Sequence, residues 1–154
     1  MLAFENAVYY TTKGFRRGGI TVEGGRVFLS PSEPVKEADV SGKIILPGLA
    51  DVHVHLREPG FFYKESIATG SESGARAGYT ALLAMTNLNP VPDSAAHLAP
   101  ELGAIARTAA GGVHPYAALP VGEKGRELPA LEELAPCVAG VCDEGEGGQS
   151  AGVS

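Results

Sequence analysis

The chain has 154 residues, 44% of them hydrophobic, and a formal net charge of -6; that is enough for a real core and argues against wholesale disorder. The acidic balance argues against nucleic acid or an anionic membrane as the main partner, and no apolar run approaches the ~20 residues that span a bilayer. Two cysteines, Cys137 and Cys142, do not make a disulfide framework, and Met1 to Tyr10 lacks the basic start and long apolar stretch of a signal peptide, so a reducing cytoplasm is the default expectation.

Leu2 to Tyr10 reads as a strand, with Val8 and Tyr9 favouring extended backbone. Ile20 to Val22 and Arg26 to Leu29 flank Glu23-Gly24-Gly25 and predict a short hairpin with glycines where positive φ is needed. Ser30 to Val40 reads as a Pro- and Glu-containing connection. The first 45 residues therefore form a small β unit, too small for a good core alone, which must pack on the remainder of the chain.

The pattern changes at Ile44. Leu49 to Leu56 is an apolar run broken by Asp51, His53 and His55, and reads as a buried strand. Glu65 to Ala77 is helical despite Gly70 and Gly74, and Tyr79 to Met85 is a second buried strand. Asp93 or Ser94 can cap a helix through Leu98, Leu102, Ile105 and Ala109, with Pro100 in its first turns or kinking it. Val113 to Leu119 is a third strand, weakened by Pro115. Leu128 to Leu134 is a short helix and Cys137 to Cys142 a fourth strand, its two cysteines facing opposite ways and packing in the core. Apolar strands alternating with helices imply βα units and a parallel sheet.

His53-Val54-His55 is the sharpest chemical feature. Residues two apart on a strand share a face, so both imidazoles can reach one point beyond the strand end and hold a divalent metal, most often zinc. Asp51, one step deeper on that face, could hydrogen-bond a ligand histidine. A surface strand with two half-exposed histidines is the competing reading. Arg57, just past the strand, is placed to hold a carboxylate in a two-pronged hydrogen bond, or to make a loop salt bridge with Glu58 or Glu65. Asn87 ends the second strand and could bind a substrate amide or carboxylate, or form an Asx turn before Pro90. Asp143 and Glu144 end the fourth strand, where a carboxylate could join the histidines or simply face solvent. Gly145, Gly147 and Gly148 lack the lysine of a phosphate loop. His97 and His114 read as structural or surface residues.

Three segments together resemble the dihydroorotase family of the amidohydrolase superfamily. They are Pro47-Gly48-Leu49-Ala50-Asp51-Val52-His53-Val54-His55-Leu56-Arg57-Glu58-Pro59-Gly60, the stretch Ala84-Met85-Thr86-Asn87-Leu88-Asn89-Pro90-Val91-Pro92-Asp93, and Cys142-Asp143-Glu144-Gly145 through Gln149-Ser150-Ala151-Gly152. The likeness runs from about residue 44 to the end. It implies an α/β fold: the first half of a metal-dependent (β/α)8 TIM-type barrel over 46–154, with about four strands, preceded over 1–45 by part of a small β-sandwich domain. It implies that His53, His55 and Glu144 are metal ligands, for one or two zinc ions, and that Arg57 and Asn87 hold the substrate carboxylate.

The reaction implied is the interconversion of dihydroorotate and N-carbamoyl-aspartate in pyrimidine biosynthesis, by attack of a metal-activated hydroxide on the ring amide. Two departures stand out: Thr86 replaces a usual proline, and Glu144 replaces an aspartate, leaving Asp143 as the fallback ligand. A barrel takes about 250 residues, so the acid/base residue is expected beyond this chain, and the chain alone is expected to be an inactive fragment. Half a barrel also leaves open strand edges, so association, a homodimer included, stays open. An allantoinase or dihydropyrimidinase-like enzyme, or a non-catalytic barrel homologue serving as a scaffold, are the rival expectations.

Overall fold

A computed structural model of the chain describes residues 1–29 and 36–144. None of the described helices is long and apolar enough to cross a membrane. The chain divides into two compact units, Met1–Pro47 and Gly48–Ser154.

The first unit is a five-stranded sheet of β1 (Leu2–Thr11), β2 (Gly14–Glu23), β3 (Arg26–Phe28), β4 (Lys36–Asp39) and β5 (Ile44–Ile45), ordered β3-β2-β1-β4 with β5 also on β1. The glycine hairpin is present: Glu23 pairs with Arg26 across Gly24 and Gly25, whose φ values are +54 and +74. Two successive positive φ angles give the turn whose twist matches its strands. The segment read as a plain connection needs correcting at 36–39, which run parallel to β1 from Leu2↔Lys36 to Glu5↔Asp39. Lys-Glu-Ala-Asp has poor strand propensity, and pairing with β1 overrides it. Residues 30–35 lie outside the described residues.

The second unit alternates β6 (Leu49–Val54), α1 (Ile67–Arg76), β7 (Tyr79–Ala84), α2 (Ala95–Thr108), β8 (Gly112–Ala118), α3 (Leu131–Leu134) and β9 (Gly140–Cys142). The strands are all parallel and stand in chain order, β6-β7-β8-β9. Spatial order equal to chain order means the sheet never reverses its winding, the topology of a barrel rather than of a doubly wound sheet. The sheet also curls: the Tyr116 hydroxyl on β8 donates to Val52 O on β6 at 3.2 Å, reaching past the intervening strand.

Helix starts follow local chemistry. Ser66 caps α1, its hydroxyl accepting from Thr69 N at 3.2 Å, and Ser94 caps α2, accepting from His97 N at 3.3 Å. A second acceptor serves α1: buried Glu58 Oε2 takes the Ile67 N–H at 2.9 Å, at the end of the helix that favours negative charge. Helix α1 lies close on the sheet because Gly70 and Gly74 face it. A Cβ on Gly70 would stand 2.5 Å from Leu56 Cδ2, and one on Gly74 3.0 Å from Leu82 Cδ1. Leu56, Ile67, Leu82, Ala84, Ala104 and Val113 make the main core there, with Leu98, Ala117 and Leu134 a second cluster.

Three sequence expectations change in this unit. The strand over 49–54 is not buried among the described residues: it is an edge strand paired with β7 alone, and Leu49 and Val52 are exposed by 51% and 63%. The last helix begins at Leu131 rather than Leu128, because Pro129 stands before it. Cys137 belongs to a tight helical turn at Ala135–Cys137 and is exposed, so it is neither on a strand nor in the core; the strand is Gly140–Cys142.

Candidate metal centre

The candidate site residues of the second unit lie at or past the C-terminal ends of its strands, where a parallel βα sheet assembles its sites. His53 and His55 close β6, Thr86 and Asn87 follow β7, Glu123 follows β8, and Asp143 and Glu144 follow β9.

The histidines converge on Glu144. His53 Nε2 and His55 Nε2 are 3.3 Å apart, His53 Nε2 is 3.4 Å from Glu144 Oε1, and His55 Nδ1 is 3.8 Å from Glu144 Oε2. One ligand atom from each of the three can be chosen with all of them within 4.8 Å. Two nitrogens bound to one tetrahedral zinc at about 2.0–2.1 Å stand roughly 3.3–3.4 Å apart. The donor spacing therefore suits such an ion, and two imidazoles with a carboxylate form a donor set zinc accepts. Glu144 reaches this point despite its extra methylene, and among the described residues it is Glu144, not Asp143, that completes the trio.

A bulge in β6 shapes the approach. Asp51 pairs with Leu82 and Val54 with Ala84, so three steps along β6 oppose two along β7. The extra residue disturbs the ladder near His53, and Asp51 Oδ1 accepts the His53 backbone N–H at 3.0 Å. Asp51 does hydrogen-bond one of the two histidines, as the sequence allowed, but through the backbone N–H of His53.

Asn87 joins the site through a histidine. His55 Nδ1 stands 2.9 Å from Asn87 Oδ1. An amide oxygen only accepts, so Nδ1 carries the proton and a neutral His55 ring leaves its Nε2 lone pair for a cation. The Asn87 amide nitrogen remains a donor for other groups.

Arg57 follows β6 with φ +59, in the left-handed region that few residues with a Cβ adopt. Among the described residues it makes no ion pair. The partners suggested for it are occupied elsewhere, Glu58 on the Ile67 N–H, and Glu65 on Ser66 N at 2.9 Å and on the Thr69 hydroxyl. Its loop is locked to the next one by Asn89 N donating to Pro59 O at 3.2 Å. Gly60 permits this contact: its φ is +99, and a Cβ there would meet Asn89 Cβ at 2.6 Å.

Cys142 lies beside the site, its thiol pushed up first by burial and then by Glu144, Asp143 and Glu123, so it stays protonated rather than offering a thiolate. Sequence reasoning missed Glu123, whose Oε1 accepts the Thr86 hydroxyl at 2.6 Å across 37 positions. Nothing local in Gly122-Glu123-Lys124 signals that contact. His97 turns out to serve structure: its Nδ1 stands 2.6 Å from Asp93 Oδ1, while Asp93 Oδ2 accepts Gly122 N at 2.8 Å.

The chain is similar to known proteins both in sequence and in structure. Residues 42–153 match the model of a family described as dihydro-orotase-like. A dihydroorotase of Geobacillus thermodenitrificans is 43% identical over 144 residues, covering 89% of this chain and 34% of that protein. One from Fusobacterium nucleatum is 44% identical over 115 residues, covering 75% of this chain and 27% of that protein. The chain thus spans about a third of the length of the curated relatives it matches. Among solved structures, the L-hydantoinase (dihydropyrimidinase) of Arthrobacter aurescens aligns with TM-score 0.76 at 19% identity, over 91% of this chain and 32% of its own. A dihydroorotase structure aligns with TM-score 0.55 at 17% identity, over 91% of this chain and 41% of its own. These structural likenesses establish the fold, part of a (β/α)8-type barrel.

Proposed function

The chain belongs to the dihydro-orotase-like family, and on that premise we propose that its protein is a zinc-dependent cyclic amide hydrolase interconverting dihydroorotate and N-carbamoyl-aspartate, a step of pyrimidine synthesis. His53, His55 and Glu144 hold the cation. The observation that carries this reading is the 3.3 Å separation of the two imidazole Nε2 atoms beside the Glu144 carboxylate. When bound, zinc in such a site lowers the pKa of water and polarises an amide carbonyl.

The chain's own residues orient the substrate. Arg57, held in its left-handed backbone conformation beside the histidines, presents a fork that matches a carboxylate bidentately. Asn87 gives its oxygen to His55 and keeps its amide N–H groups for the same carboxylate. Fixing that carboxylate at two points sets the ring amide against the metal edge of the site and reduces the entropy lost on the way to reaction.

The test is turnover by the intact protein. Hydrolysis of dihydroorotate in clear preference to allantoin, with zinc bound, is the expected result. Arg57→Met should lower kcat/KM for dihydroorotate about 100-fold while bound zinc is retained, as expected for losing a charge-assisted bidentate contact. Preference for allantoin or a hydantoin moves the protein to a neighbouring ring-opening activity. Finding no zinc in the protein favours a non-catalytic scaffold.

A further inference from the structure

Thr86 and Glu123 form a strut between the loops that follow β7 and β8. Thr86 is fully buried, and its hydroxyl donates to Glu123 Oε1 at 2.6 Å. Glu123 is half-buried and holds φ +56 directly after Gly122 at φ +59. A residue with a Cβ is held in that conformation only when its surroundings fix it. They do so here: Glu123 N donates to Pro120 O at 2.9 Å, and Gly122 N donates to Asp93 Oδ2 at 2.8 Å. Asp93 is itself buried in the β7 loop. The β8 loop therefore grips the β7 loop at both ends, through Thr86 and through Asp93.

Between those grips sits Asn87. Leu88 N donates to Thr86 O at 2.7 Å, which makes Asn87 the central residue of a tight three-residue turn. The orientation of the Asn87 side chain thus depends on where Thr86 is pinned. Asn87 Oδ1 in turn accepts a hydrogen bond from His55 Nδ1–H.

We propose that Thr86 and Glu123 are positioning residues for the metal centre: their hydrogen bond sets the Asn87 turn, which holds His55 in the tautomer that offers Nε2 to the cation. This rests on the reading of His55 as a metal ligand. It assigns a role to a position where this chain departs from the proline that its resemblance implies. A proline has no hydroxyl, so the strut is a device of this sequence. An outer partner of a ligating histidine is worth tenfold to a hundredfold in metal affinity, and a residue acting through that partner falls at the lower end.

The experiment uses the intact protein and cobalt(II) as the probe. Thr86→Val removes the hydroxyl and keeps the shape, Thr86→Ser restores it, and Glu123→Ala breaks the same bond from the outer loop. Nitrogen-15 shifts of the His55 ring are read without metal, and cobalt affinity is read by chelator competition. In the unsubstituted protein the ring should be in the Nδ1–H form. Thr86→Val and Glu123→Ala should each mix the tautomers and weaken cobalt binding about tenfold, and Thr86→Ser should recover both. A merely structural strut would lower thermal stability without moving the tautomer. Unchanged ring shifts in Glu123→Ala, or no recovery in Thr86→Ser, overturn the proposal. Failure of the unsubstituted protein to bind cobalt overturns the metal reading separately, because the metal-free ring shifts still judge the strut.

Discussion

Two glutamates mark the contrast between the mouth of the parallel sheet and the layer where its helices pack. At the mouth, the Glu144 side chain is 16% exposed and has two imidazoles within 4 Å. In the packing layer, Glu101 on α2 is 2% exposed, lies on the buried stripe between Leu98 and Ala104, and has an Oε2 without a hydrogen-bond partner among the described residues. The same side chain is placed once where it can grip a cation and once where burial disfavours its charge. The mouth concentrates polar groups that answer one another, while burial of Glu101 in the layer beneath disfavours its charged form. Substitutions in the two regions should therefore have separable consequences.

The largest effect belongs to the packing layer. Burial pushes the Glu101 carboxyl up to about 8, from an ordinary value of 4.5. Below pH 4.5 the group is protonated in both folded and unfolded chains, and its full contribution to stability is present. Between there and pH 8 the folded chain keeps a proton that the unfolded chain releases, so stability falls as pH rises, and above the folded value the loss is complete. Over that window the loss amounts to roughly 4–5 kcal/mol. Denaturant midpoints measured from pH 5 to 8.5 should converge on those of Glu101→Gln at the acidic end and fall below them at the alkaline end. Parallel curves for the two proteins would remove the contrast.

Next come one substitution from each region. Leu82→Ala empties part of the core under α1 and should cost about 3 kcal/mol of stability, with cobalt affinity unchanged within twofold. His55→Ala should do the reverse: cobalt affinity drops by about 100-fold or more, while stability stays within about 0.5 kcal/mol, the range for surface changes. The pair is read by denaturant unfolding and chelator competition on the same preparations. A Leu82→Ala protein that still folds but loses cobalt would show that the mouth depends on the core more tightly than its own hydrogen bonds suggest.

How much was legible in the amino-acid sequence differs between the same two regions. His53 and His55, two apart, announced a shared target, and their ring nitrogens do meet. Asp93 and Ser94 before an apolar stripe announced the start of α2, because an N-cap is a local event, and Ser94 is the one that caps it. The glycine pair at 24 and 25 announced the hairpin between β2 and β3 for the same reason. What escaped was non-local. Residues 36–39 become a strand only because β1 offers an edge, and Glu123 finds Thr86 across a loop that no periodicity describes. Glu101 escaped because a glutamate in a helix is ordinarily a solvated one, and its burial is a property of how α2 docks.

The smallest effect is the most discriminating, because Asp51 stands where the two regions meet. Strict strand alternation puts its carboxylate against an imidazole, where removing the negative charge should weaken metal binding by about 10–100-fold. The bulge in β6 changes that assignment, and Asp51 Oδ1 takes the His53 backbone N–H instead. A backbone N–H needs an acceptor, not a charge, and an asparagine oxygen serves nearly as well. Asp51→Asn should therefore leave cobalt affinity within about twofold and cost at most about 0.5 kcal/mol of stability. Asp51→Ala, which leaves the amide without its partner, should cost about 1 kcal/mol. If Asp51→Asn instead behaves like Asp51→Ala in cobalt competition, the carboxylate acts on the ring after all. Strict alternation would then hold through the bulge, and the line between the mouth and the strand beneath it would lie one residue deeper.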